Sequence, residues 1–304
     1  MDLTERLEAT NRAVERRDLT AARAGIGELF ASHPDHPMVL WTAGRLLGRL
    51  QSYEPAAAQF KLAVARDPAL SHVEFDVNGK VLRLRDVPGS SWAADVLDEF
   101  ARGMYDIRSL TFAPGDTVVD VGAHIGGVSV ILATLRPDIR IFAYEPSSSN
   151  YAMLVANLEA NAITNVTPVR QAVMGKPGTL TLTWAPHATA GSTVGLPPAA
   201  RAAREASGWS SETVDCVTLD DVFREHGIDR CSWLKLDCEG AEWGIMAETQ
   251  VLERIDRISL ELHLPASRQA EGLEACVRDF SALVNRVQRV PRVVVSSTLW
   301  VGDL

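Results

Sequence analysis

The sequence predicts an α/β fold in which a parallel, doubly wound sheet follows a small all-α segment. Three observations carry this. From residue 117 onward, short apolar runs alternate with stretches of helical length, the pattern of βα units that stack into a parallel sheet. The run Thr117-Val-Val-Asp-Val-Gly-Ala-His-Ile-Gly-Gly127 reads as a β-branched strand, a glycine-bearing turn and a helix start, an arrangement that lets a ligand pack against backbone at the carboxyl edge of a sheet. Residues 1 to 70, in contrast, show only helical patterning.

In the helical segment Pro34 and Pro68 are 34 residues apart, as are Ala22 and Ala56. Gly44, Ala56, Phe60, Ala63 and Pro68 occupy the small, aromatic and terminal positions of a tetratricopeptide-like repeat. Two degenerate repeats or a plain amphipathic helical hairpin both fit. Two such units cannot bury a continuous core alone, so residues 1–70 are expected to dock on the rest of the chain, on a second copy in a homo-oligomer, or on a protein partner.

Residues 71–110 read as a lead-in to the core. The stretches 72–76 and 81–85 flank Asn78-Gly79, a pair that accepts positive φ at both positions of a hairpin turn. A helix is expected from Ser91 to Tyr105. Residues 111–304 then form the main domain, with strand 117–121, helix 127–135, strand 140–145, helix 147–161 and strand 166–171 in alternation. A second hairpin, Thr179 to Trp184 with Thr213 to Val217, frames a long loop holding Gly191-Ser-Thr193, Pro197-Pro198 and Trp209. Such a loop is either a binding loop or a tolerated insertion. Thr218-Leu-Asp-Asp221 has the form of a helix N-cap with an acid at N3. Strand 232–237, helix 242–253, strand 257–262, helix 267–285 and a terminal strand pair near 290–303 complete the domain.

The bulk numbers exclude several function classes. A formal charge of -9 over 304 residues leaves no basic stripe for displacing counterions from nucleic acid. The longest apolar stretch, Val128 to Leu135, is too short to span a bilayer. Cys216, Cys231, Cys238 and Cys276 form no C-x-x-C pair, and the N-terminus is charged from its second residue, so a cytoplasmic protein with reduced thiols is expected.

Asp120 and Glu145 end successive strands, and this pairing points to a nucleoside cofactor. An ionised carboxylate at the second strand end can accept both ribose hydroxyls. A dinucleotide fingerprint reads Gly-x-Gly-x-x-Gly, whereas Gly122 and Gly126 are separated by three residues and Asp120 stands two before the first. That anion suits a cationic ligand and would repel a diphosphate, which favours S-adenosylmethionine over a nicotinamide cofactor. On this reading Asp120 holds the methionine end through its ammonium or a water. The turn of Gly122, Ala123, His124 and Gly126 contacts the methionine and ribose by backbone, Glu145 takes the ribose, Pro146 and Ser147 beside it belong to the same cofactor site, and Gln171 and Ala172 flank adenine. A nicotinamide-dependent oxidoreductase and a plain strand-turn-helix capped by Asp120 are the rival readings.

Trp233-Leu-Lys-Leu-Asp-Cys-Glu-Gly-Ala-Glu242 adds a second constellation. With Asp120-Val-Gly-Ala-His-Ile-Gly126, Tyr144-Glu-Pro146, Val217-Thr-Leu-Asp220 and Glu261-Leu-His263, it resembles the FkbM family of S-adenosylmethionine-dependent methyltransferases over roughly residues 95 to 264. The resemblance implies a Rossmann-like, seven-stranded class I methyltransferase fold and, most often, O-methylation of a small-molecule or sugar hydroxyl in a natural product. Cys238 stands where the family's motif has an aliphatic residue, and a buried, inert thiol is expected there. Asp237, Glu239 and His263 are the candidate catalytic residues facing the methyl acceptor, with Asp237 also near the cofactor. His263 is read as a general base because imidazole titrates near neutrality, the alternative being a strand-end histidine satisfied by a neighbouring carboxylate. Asp237, Glu261 and His263 are oxygen and imidazole donors converging on one edge, but no adjacent Asp-Asp or Asp-Asn pair follows the next strand and no metal is expected. Methylation of a carboxylate or nitrogen, and a non-catalytic adaptor acting through the helices, remain as alternatives.

Overall fold

The computed structural model describes residues 1–185, 193–194, 198–263 and 295–300, with helical positions 278, 281–283 and 285. The expected helix over 267–285 lies almost wholly outside the described residues, as do the Gly191-Ser192 and Pro197 parts of the long loop and the first half of the expected terminal pair.

Four helices open the chain: α1 (Leu3–Glu15), α2 (Leu19–Ser32), α3 (Pro37–Arg49) and α4 (Tyr53–Arg66). Ala22 and Ala56 are fully buried, and Phe60 lies so close to Gly44 that a Cβ there would come within 2.9 Å of its ring. The hairpin of β1 (His72–Val77) and β2 (Lys80–Arg85) follows, with Asn78 and Gly79 both at positive φ, 50° and 85°. Glu74 of β1 is buried and binds Arg45 and Arg49 of α3 and Arg83 of β2, which fastens the helices to the hairpin. Tyr53, Ala56, Ala57 and Phe60 of α4 share one apolar cluster with the hairpin and the main sheet, so the core runs without a break past residue 70.

Next come α5 (Trp92–Arg102), β3 (Thr117–Val121), α6 (Gly127–Leu135), β4 (Arg140–Tyr144), α7 (Ser148–Ala160) and β5 (Val166–Val169). The remaining elements are β6 (Ala172–Met174), β7 (Gly178–Trp184), β8 (Thr193–Val194), α8 (Pro198–Ala206), β9 (Ser210–Thr218), α9 (Leu219–Glu225), β10 (Trp233–Leu236), α10 (Glu242–Glu248), β11 (Ile258–His263) and β12 (Val295–Trp300). The main sheet has the order β12-β11-β10-β3-β4-β5 with every pair parallel, six strands among the described residues where the resemblance implied seven. A smaller sheet, β6-β9-β7-β8, carries the insertion. Period-2 geometry splits the core. Val118, Ile141 and Ala143 face α5, α6 and α7, whereas Val119, Val121, Phe142 and Tyr144 face α9 and α10. Among the described residues no helix is long and apolar enough to cross a membrane.

Three elements differ from the sequence pattern. The helix expected to reach Tyr105 ends at Arg102, where Gly103 takes a left-handed C-cap, and a 3₁₀ turn, Met104–Ser109, follows. The stretch 166–171 is not one strand, because the chain leaves the main sheet after Val169 and enters the smaller sheet at Ala172. The helix from 242 stops at Glu248 because Asp220 captures the Thr249 hydroxyl at 2.7 Å and the Gln250 N–H at 3.1 Å, turning the chain aside.

Candidate functional site

From β3 the sheet grows one way through β4 and β5 and the other way through β10 and β11, so the loops leaving β3 and β10 diverge. Open α/β sheets bind ligands in the crevice that such a reversal leaves at their carboxyl edge. Here that crevice is an open cavity at the carboxyl ends of β3, β4, β10 and β11. Gly122, Ala123, His124, Glu145, Pro146, Gln171 and Ala172 line one half of it. Lys235, Asp237, Glu239, Glu261 and His263 line the other.

The first half is built from backbone. The N–H groups of Gly122 and Ala123 both donate to the Tyr144 carbonyl at 3.0 Å, folding the turn over the end of β4. Gly122 has φ +79°, and a Cβ there would lie 1.8 Å from the Asp237 carbonyl oxygen, so the turn depends on glycine for both conformation and space. Glu145 is buried at the cavity wall, accepting N–H bonds from His124 at 2.8 Å and Ser147 at 2.9 Å. Burial lifts its carboxyl to about 7, against the pull of those two donors. His124 contributes its N–H to this bond while its ring stands edge-on to Trp92.

The second half is a cluster of acids around two cations. Lys235 is buried between Asp120 at 3.1 Å and Asp237 at 3.5 Å, and donates to the Gly122 carbonyl at 2.8 Å. Burial works against its charge, but Asp120 and Asp237 outweigh this and raise its pKa. For Asp237 burial opposes ionisation, yet Lys235 and a hydrogen bond from Tyr105 keep its carboxyl below the usual range. Glu261 lies 3.9 Å from His263 Nε2, but burial and then the neighbouring Asp237 charge outweigh the pull of His263 and Lys235 and push its carboxyl up. Glu242, fully buried, accepts the N–H groups of Cys238 at 2.6 Å and Gly240 at 2.9 Å and lies 3.2 Å from His263 Nδ1. Cys238 lines the cavity as a free thiol, held protonated by burial and then by Glu242.

Several expected placements need correction. Asp120 is not on the cavity wall. It shares the strand face of Val118, the face covered by α6, so its carboxylate accepts from Ser129 of α6 at 2.7 Å and pairs with Lys235 instead of meeting a ligand. Gly126 is also off the wall, since a Cβ there would come within 2.5 Å of Leu154 of α7. Ser147 caps α7 and supports Glu145 from behind. His263 stays on the wall, within 4.0 Å of the carboxylates of Asp237, Glu239, Glu242 and Glu261. Burial would lower its pKa, but the Glu242 hydrogen bond and the charges of Glu242, Glu239 and Asp237 push it up to about 9. That upward shift is the direction expected of the carboxylate-satisfied histidine of the alternative reading.

Among the wall residues outside the sequence reading of the site are two that carry titratable groups into the acid half, Glu99 and Tyr105. Glu99 of α5 lines the cavity, and burial followed by the charges of Asp237 and Glu261 lifts its carboxyl to about 7. Tyr105 donates its hydroxyl to Asp237 at 2.6 Å and is 3.3 Å from Glu261. Tyr105 and Asp106 have left-handed backbone, φ 55° and 50°, which costs of order 1–3 kcal/mol for each such residue. The only signal in the sequence was that the helix expected over 91–105 ends just before the first sheet strand.

A family model described as the Methyltransferase FkbM domain matches residues 120–287. Methyltransferase sdnD of Sordaria araneosa is 30% identical over 185 residues, 54% of this chain and 68% of its own length. The 31-O-demethyl-FK506 methyltransferase FkbM of Streptomyces tacrolimicus is 30% identical over 189 residues, 54% of this chain and 72% of its own. A solved structure of M. jannaschii TYW2 in complex with AdoMet aligns with 33% of this chain and 42% of its own, at 24% identity and a TM-score of 0.26, an overlap too small to bear on fold or ligand.

Proposed function

This chain belongs to the FkbM family of methyltransferases and uses S-adenosylmethionine, and from that premise we propose that it methylates a hydroxyl of a small molecule. When bound, the cofactor supplies a methyl carbon activated by its sulfonium. The observation that carries the reading is one cavity whose glycine turn and Glu145 lie on one side and whose carboxylates Glu99, Asp237, Glu239 and Glu261 lie on the other. The residues fit the cofactor. Backbone from Gly122 to His124 and the buried Glu145 would hold its ribose and methionine end, with Pro146, Gln171 and Ala172 about the base. Asp120 acts one layer below, through Lys235 and the Gly122 carbonyl. The acid half would repel a carboxylate acceptor and accept a hydroxyl proton.

Cofactor binding has a pH signature. Because Glu145 is lifted to about 7, affinity for S-adenosylhomocysteine is expected to rise as pH increases through 7 and the carboxylate forms. Glu145→Gln keeps an acceptor oxygen for the turn and is expected to lose about 1.5–3 kcal/mol for each charged hydrogen bond, together with this pH dependence. Calorimetry across pH measures both. Equal affinity in the two proteins would remove Glu145 from the ribose.

Proton removal falls to Glu261, the more basic of the two carboxylates that reach the Tyr105 hydroxyl. His263 positions the acids as a cation. Glu261→Gln is expected to lower turnover about 100-fold with cofactor affinity kept, and to abolish the fall in rate at acid pH. His263→Ala is expected to keep that acid limb, since the imidazole is protonated throughout the range below about 9. An acid limb that disappears in His263→Ala would restore the histidine as base. The reaction itself is tested by the mass gain of candidate alcohols incubated with methyl-labelled S-adenosylmethionine. A gain on carboxylates alone would overturn the hydroxyl reading.

A further inference from the structure

We propose that the Tyr105 hydroxyl occupies the place of the acceptor's hydroxyl, so that the 3₁₀ turn carrying it is displaced when the acceptor, an alcohol or phenol, enters. The inference rests on the methyltransferase reading and deepens it. Tyr105 Oη lies 2.6 Å from Asp237 and 3.3 Å from Glu261, with the carboxylates at the ends of β10 and β11. These acids stand across β3 from Glu145 at the end of β4, so the phenol fills the half of the cavity that a cofactor on the glycine turn leaves open. No other hydroxyl among the described residues is shown bonded to either acid.

The turn has the character of a movable part. Two consecutive non-glycine residues, Tyr105 and Asp106, hold left-handed backbone, a conformation that persists only where surrounding contacts impose it. Asp106 is tied down by Arg257 at 3.5 Å, an ion pair with the carboxylate largely exposed, and Tyr105 by its bonds to the two acids and by Lys235 5.4 Å from its ring centre. An incoming hydroxyl that replaces the phenol at Asp237 and Glu261 preserves the hydrogen bonds of the acids and frees the strained pair. Burial, and then Asp237, hold the Tyr105 phenol protonated, so in the resting site it is a donor and not a nucleophile.

The test uses phenol, the Tyr105 side chain cut free, on the full chain. Tyr105→Gly empties the place and suits the positive φ, while Tyr105→Phe keeps the ring and removes only the hydroxyl. Without cofactor, Tyr105→Gly is expected to bind phenol at least tenfold more tightly than wild type or Tyr105→Phe, read by calorimetry. With methyl-labelled S-adenosylmethionine it is expected to form labelled anisole at least tenfold faster than either. In that step the phenol O–H bond breaks with its proton passing to Glu261, an O–CH₃ bond forms, and the sulfonium C–S bond breaks with its electron pair left on sulfur. Equal phenol affinity in all three proteins overturns the inference, as does phenol bound beside retained cofactor with no anisole formed. Failure of wild type to bind S-adenosylhomocysteine is a separate result that removes the methyltransferase reading and this inference with it.

Discussion

Gly122→Ala is expected to abolish methyl transfer and to weaken S-adenosylhomocysteine binding about 100-fold or more. A left-handed conformation costs a residue with a Cβ about 1–2 kcal/mol before any contact is counted. At φ +79° the added carbon would also stand 1.8 Å from the carbonyl oxygen of Asp237, a backbone atom that no side-chain rotation can move aside. Relief requires the β3 turn and the β10 turn to separate. That would pull the Gly122 carbonyl off Lys235 and Asp237 out of line with Glu261, so both halves of the cavity are damaged by one methyl group. Together these effects amount to ~3 kcal/mol or more, which is about two factors of ten in affinity. Calorimetry on a variant whose circular dichroism matches wild type measures the loss. Wild-type affinity in such a protein would show that the turn does not contact the cofactor.

Glu74→Ala should give the largest loss of stability, about 3–5 kcal/mol, because it takes the buried carboxylate from Arg49 and leaves the buried Arg45 guanidinium only the exposed Glu15 as counter-ion. The same carboxylate carries a pH signature. Burial would raise its pKa, but Arg45, Arg49 and Arg83 depress it to about 2 in the folded chain, against an ordinary value of 4.5. A depressed folded value means that its stabilisation is complete above pH 4.5 and is lost as pH falls from there through 2. Denaturant melts at pH 7 and pH 3 are expected to show a smaller gap between wild type and variant at the lower pH. A gap independent of pH would mean that the network contributes packing and not charge.

Much of the site was legible because it depends on local pattern. A β-branched run ending in Asp120 and Gly122, followed by an apolar helix, can form only a strand, a tight turn and a helix. Glu145, Asp237 and Glu261 each fall at the end of an apolar run, and a parallel sheet brings the ends of all its strands to one edge. Period-2 alternation also places Glu261 and His263 on one face.

What lay beyond the sequence was decided by elements distant along the chain. The face of β3 that carries Asp120 became interior only because α6 packs there and supplies Ser129, and Lys235 of β10 lies directly beside it in register. The upward shift of His263 comes from Glu242 of α10 and from Glu239 and Asp237 of the β10 loop, a through-space sum that no spacing rule contains. Tyr105 and Glu99 enter the cavity from the α5 region, more than a hundred residues before the acids they face. Local pattern therefore determined the parallel sheet, the glycine turn and the strand-end acids, because backbone sterics and side-chain alternation act over a few residues. The carboxylate surroundings of the histidine, the burial of Asp120 and the occupant between Asp237 and Glu261 were decided by the tertiary structure alone, because solvation and Coulomb forces depend on which atoms meet across the fold.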